Sequence, residues 1–165
     1  MFGLTQLGAV HTLISLVAVA AGIVCFVRYG SISLRTRAGG VYVVATVLTC
    51  VTAFGLFRTG AFGPGHAIGV LTLIVLAFAV LVEKRAQART LPHAVEVVSY
   101  TTTFFLHWIP AINETTTRLP PSAPLASGPN DPVILVLVGI ALVLYVAGAA
   151  VQVVRLKAVA PVSTR

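Results

Sequence analysis

The chain has 165 residues, 58% of them hydrophobic and only 9% charged, with a mean hydropathy of +1.00. Soluble domains carry roughly a quarter charged residues, so this composition excludes a water-soluble globular domain. A net charge of +7 would suit nucleic acid, but the 11 Lys and Arg residues stand singly or in pairs between long apolar runs. No basic face results, which excludes a nucleic-acid binder and leaves the lipid bilayer as the expected surrounding.

A bilayer core takes about 20 apolar residues per helix. The apolar runs predict an all-α, polytopic transmembrane bundle of five helices in one domain, with spans at about 5–27, 39–57, 65–82, 93–112 and 132–154. No basic residue precedes the first span, which argues against a cleaved signal peptide. Along that span His11, Ser15, Ala18, Gly22 and Cys25 share a face, and small residues at 18 and 22 suit close helix approach. Cys25 is read as a packed small residue, and with Cys50 it forms no CxxC spacing. In the second span Tyr42, Thr46, Thr49 and Cys50 supply polarity without metal-ligand spacing.

The fourth span is the most polar. It holds two histidines, Glu96, Ser99, Tyr100 and three consecutive threonines, so it must face other helices or a cavity. His93, Glu96, Tyr100, Phe104 and His107 recur at intervals of three or four, along one helical face. That stripe reads either as a proton relay running from His93, Glu96 and Tyr100 toward His107, or as interhelical hydrogen bonding that fixes packing. Prolines at 120, 121, 124 and 129 predict an irregular loop over 113–131, and Asp131 is the expected N-cap of a fifth helix opening on Pro132.

Basic residues set the expected orientation, because Lys and Arg gather on the cytoplasmic side. Arg28, Arg35 and Arg37 follow span one, Lys84, Arg85 and Arg89 follow span three, and Arg155, Lys157 and Arg165 follow span five. Only Arg58 and Arg118 fall on the other side, so the N-terminus is expected outside and the C-terminus in the cytoplasm of a bacterial inner membrane.

Orientation gives the spans a common depth scale. At 1.5 Å per residue, His11 lies roughly 9 Å and His107 roughly 8 Å inside the outer ends of their spans. His66 opens span three at the same level, and His93 lies at the opposite end. Neutral imidazole is the commonest metal ligand, and three histidines with an open position make a zinc site. The leading expectation is therefore a transition metal, zinc or copper, held by His11, His66 and His107, with Glu114 or the loop in support. Two of the three would equally ligate a haem b from opposite faces. The remaining reading is a cofactor-free structural or partner subunit, in a homo-oligomer or with another membrane protein. No nucleophile elbow or phosphate-binding loop is present, and no enzymatic reaction is assigned.

Three stretches are similar to a bacterial family of predicted membrane proteins, domain of unknown function 2306. They are His11-Thr-Leu-Ile-Ser-Leu-Val-Ala-Val-Ala-Ala-Gly22, Arg37-Ala-Gly-Gly-Val-Tyr42, and the basic residues followed by His93 that lead into Ser99-Tyr100. The family's histidine before the Gly-x-x-Tyr element is Arg or Thr here. The resemblance, over about residues 8–105, implies a small polytopic helical bundle and directs attention to His11 and His93.

Overall fold

The computed structural model describes residues 5–56, 62–86 and 91–158. Arg58, Arg89 and Arg165, which enter the charge pattern, lie outside the described residues. Five helices follow in chain order: α1 (Gln6–Tyr29), α2 (Arg37–Ala53), α3 (Pro64–Glu83), α4 (Leu91–Arg118) and α5 (Pro132–Ala158). Among them α1, α3 and α5 are long and apolar enough to cross a membrane.

Short polar residues start these helices. Thr5 Oγ accepts the Gly8 N–H at 3.1 Å and Thr36 Oγ accepts the Gly39 N–H at 3.0 Å, each satisfying a first-turn donor. Pro64 opens α3, where its missing N–H costs nothing. Gly30 ends α1 in the left-handed region at φ 75°, where a side chain would be strained.

The packing order makes a ring. Helix α1 lies on α2, α2 on α3, α3 on α4, and α1 also touches α4, while α5 packs on α4 from outside the ring. Gly22 sets the α1–α4 approach: a Cβ there would stand 2.6 Å from the Phe104 ring and 3.3 Å from Tyr42. Phe104 in turn meets Phe26 edge-on at 5.0 Å. Cys25, Tyr42, Leu76, Ala79 and Tyr100 complete the buried centre. The expected close approach at residue 22 is thus made by an aromatic ring.

The three consecutive threonines at 101–103 of α4 face two ways, as steps of about 100° per residue require. Thr101 donates to Gln152 Oε1 at 2.8 Å and Thr102 pairs with the Tyr145 hydroxyl at 2.8 Å, both on α5. Thr103 turns to Tyr42 of α2 at 2.8 Å. Gln152 also donates to the Gly30 carbonyl at 2.8 Å, fastening α5 to the α1–α2 loop.

Helix α4 corrects the sequence reading of its end. It continues six residues past 112, so the irregular loop begins at 119 and not at 113. The Thr116 and Thr117 hydroxyls donate to carbonyls one turn back, and Glu114 pairs with Arg118 at 2.6 Å across one turn. Both arrangements suit helix, which stops only where Pro120 and Pro121 remove donors. The loop then folds back, the Ala126 N–H donating to the Thr116 carbonyl at 3.0 Å.

Asp131 caps α5 as the sequence implies. One carboxylate oxygen accepts the Val133 N–H at 3.0 Å, and the other accepts the Ser127 N–H and hydroxyl at 2.9 and 3.0 Å. These donors, the Ser127 amide first, hold its carboxyl below the usual carboxylate range. The lowered value means the cap is present at neutral pH and is lost as acid titrates through that value. Asp131→Ala should accelerate amide exchange at Ser127 and Val133 near neutral pH while leaving the α5 centre unchanged. Equal exchange in both proteins would remove the cap from the account.

Candidate functional site

Two polar clusters lie inside the ring, one at each end. At the end where α1 begins, one side of α2 presents Thr46, Thr49 and Thr52 on successive turns. His107 Nε2 lies 3.1 Å from Thr46 Oγ, and His11 Nδ1 lies 3.0 Å from Thr52 Oγ. His107 is buried, with its ring edge-on to Tyr42 at 6.0 Å. His11 and His107 are within electrostatic reach of one another, and Glu114 is within reach of His11.

One self-consistent set of hydrogen-bond directions assigns a tautomer to each histidine. The Thr52 hydroxyl proton goes to the carbonyls of Leu48 or Thr49, which only accept. With that proton on a carbonyl, His11 Nδ1 is the donor to Thr52, and Nε2 of the neutral ring keeps its lone pair. The same logic runs down a chain to His107. Thr103 donates to the Tyr100 carbonyl at 2.8 Å, so Tyr42 donates to Thr103. In the same set Thr46, which also reaches Tyr42, gives its proton to the Tyr42 oxygen and accepts from His107 Nε2. His107 Nδ1 keeps the lone pair. Between the two anchoring threonines, Thr49 Oγ is buried without a partner among the described residues. Unlike Thr52, it makes no bond to a carbonyl one turn back, the usual resort of a helical threonine.

His66 takes another position. Its Nδ1 accepts the Gly63 N–H at 3.1 Å, closing the first turn of α3, and its ring stacks between Phe54 and Phe62 at 6.4 and 5.1 Å. Among the described residues no three His, Cys, Asp or Glu side chains converge as a metal site of three such ligands requires. Matched depth does not fix direction around the bundle axis: α3 meets α2 and α4 but not α1. The structure therefore brings His11 and His107 near each other and leaves His66 outside the pair.

No family model matches the chain, and neither a characterised protein nor a solved structure does.

The second cluster lies at the basic end, where Glu83 closes α3. Glu83 accepts the Ser33 hydroxyl at 2.5 Å, the Leu34 N–H at 3.2 Å and the Tyr100 hydroxyl at 2.6 Å. Arg35 donates to Glu96 at 2.9 Å, lies 3.8 Å from Glu83 Oε1, and donates to the Glu83 carbonyl at 2.9 Å. His93 Nδ1 stands 3.1 Å from the other Glu96 oxygen. Glu96 is wholly buried and Glu83 is 6% exposed, while Arg35 is half exposed.

Three of these residues, His93, Glu96 and Tyr100, belong to the stripe on α4. Glu83 and Arg35 do not, and only their contacts reveal them. Above the cluster, the Tyr100 hydroxyl points to Glu83 while the chain from His107 ends on the Tyr100 carbonyl. A carbonyl accepts a hydrogen bond but has no proton to pass on. Phe104 and Phe26 pack at the same level, so the stripe is divided into two polar clusters by an aromatic layer.

Proposed function

We propose that this is a multi-pass protein of the bacterial inner membrane that holds a transition metal ion, zinc or copper, between His11 and His107. The N-terminus is outside and the basic end is cytoplasmic, in accord with the Lys and Arg pattern. Support for the metal reading comes from the threonine-lined side of α2. Each histidine donates one ring N–H to a threonine and keeps the other nitrogen as a lone-pair donor, the arrangement that outer partners impose on metal-ligating histidines. The Thr49 hydroxyl between them, without a partner among the described residues, carries the proposal, since a buried hydroxyl left unpaired costs about 1–3 kcal/mol. A metal-bound water would satisfy it and would fill an open coordination position.

The test is metal content after loading purified protein with zinc or copper. His11→Ala and His107→Ala should each lose the stoichiometric ion. Thr46→Val, which removes the group orienting His107, should weaken binding about 10–100-fold. His66→Ala should keep the metal and lower stability instead. Retention of the ion in the His11/His107 double variant would overturn the assignment, as would no stoichiometric binding by the parent. A Soret band in the purified protein would replace it with the haem reading.

A further inference from the structure

We propose that the basic end of the bundle binds one anionic phospholipid, its phosphate beside Arg35 and Lys84 and an acyl chain in the groove between α2 and α3. The proposal rests on the membrane reading of the chain and is independent of the metal, which would lie at the other end.

Two neighbouring hollows make the site. A depression of about 460 Å³ is lined by Leu34, Arg35, Val80, Glu83, Lys84 and Ala86. A groove of about 470 Å³ is lined by Val43 and Val47 of α2 and by Leu73, Leu76, Ala77 and Val80 of α3. Each has the volume of a small-molecule site, about 300–1,000 Å³. Val80 belongs to both, so a charged mouth leads into an aliphatic slot, in the order in which a phospholipid places its own parts.

Packing explains where the slot opens. Toward the other end of these helices α2 and α3 meet at Gly69, where a Cβ would stand 3.3 Å from the Phe54 ring. Toward the basic end the α3 residues 73, 76, 77 and 80 form one face, with 43 and 47 opposite them on α2. From Leu73 to Val80 the slot runs about 10 Å at 1.5 Å per residue, against about 15 Å for the hydrocarbon of one leaflet. Val47 and Ala77 are exposed, so a chain enters from the lipid side.

Charge selects the headgroup. Glu83 and Glu96, the carboxylates of this end, are buried and tied to Ser33, Leu34, Tyr100 and Arg35. The exposed charged side chains here are basic: Arg28, Arg35, Arg37, Lys84 and Arg85, with Arg155 and Lys157 on α5. The field at the surface is therefore positive although the interior holds two carboxylates. Arg35 binds the protein through Nη1 and Nη2 and stays half exposed on the wall of the depression, where Lys84 adds a second cation. Basic pockets between membrane helices suit anionic headgroups, and a guanidinium suits phosphate.

Native mass spectrometry of the full chain in uncharged detergent tests this, titrating phosphatidylglycerol, phosphatidylcholine with the same acyl chains, and glycerol phosphate. One phosphatidylglycerol should bind at least about fivefold more tightly than phosphatidylcholine, the weight of one basic residue at a lipid surface. Lys84→Gln should remove about that factor from the preference, while Lys157→Gln, on α5 and away from α2 and α3, should leave it intact. Ala77→Phe, which fills the slot, should weaken both lipids alike. Equal affinity for the two lipids would overturn the proposal, as would glycerol phosphate binding as tightly as phosphatidylglycerol. An equal loss in Lys84→Gln and Lys157→Gln would replace the site with diffuse surface charge. Lys84 is exposed, so its variant remains decisive if Ala77→Phe misfolds.

Discussion

Replacing Arg35 with methionine is expected to destabilise the protein by about 3 kcal/mol near neutral pH. Removing one partner of a buried ion pair costs about 3–5 kcal/mol, and the lower end applies because the guanidinium is itself half exposed. The cost lies in what remains: Glu96, wholly buried, keeps only His93 as a cationic partner, and Glu83 keeps only neutral donors. Acid supplies protons to the stranded carboxylates, so the deficit should narrow as pH falls. Unfolding in mixed micelles, followed by circular dichroism at two pH values, measures both effects. Adding Glu96→Leu to Arg35→Met should recover much of the loss, since an apolar side chain of similar reach leaves no buried charge. A single variant within about 1 kcal/mol of the parent at neutral pH would show that the network contributes far less than this burial implies.

What the sequence made legible follows from the physics of each signal. Apolar runs separated by Gly, Pro and basic residues place all five helices, because hydrophobic length is a local property. Periodicity also placed His93, Glu96, Tyr100 and His107 on one face of α4, and their contacts all point into the bundle. The end of α4 was less legible: Thr116 and Thr117 look like loop residues until their hydroxyls are seen bonding back along a helix. Glu83 and Arg35 were hidden for another reason. Each sits at a helix end or in a loop, where a charge is accounted for by orientation or solvent, and only the packing of α3 against α4 turns them inward. His66 shows the limit of depth matching, which reports height and says nothing of direction. Thr49 and Thr52 carry no sequence signal beyond polarity, and their role is visible only through the hydrogens their neighbours leave them.

Gly22→Val tests how the ring is closed, because this position has no room for any side chain. The Cβ alone would stand 2.6 Å from two carbons of the Phe104 ring. Phe104 cannot swing aside freely, since Phe26 and Trp108 meet it edge-on at 5.0 and 6.2 Å and Tyr42 lies at 6.4 Å. Overpacking of this kind costs about 1–3 kcal/mol, and α1 must move away from α4 to relieve it. His11 and His107 ride on those two helices, so the same substitution should weaken metal binding although it lies about 16 Å along α1 from His11 at 1.5 Å per residue. Phe104→Leu shortens the obstructing side chain and should rescue the valine variant, giving a coupling energy of about 1 kcal/mol or more in a double-mutant cycle. Rescue of stability and of metal affinity together would tie the histidine pair to the α1–α4 spacing. Strict additivity of the two substitutions would show that Gly22 and Phe104 act separately, and the close approach would lose its place in the argument.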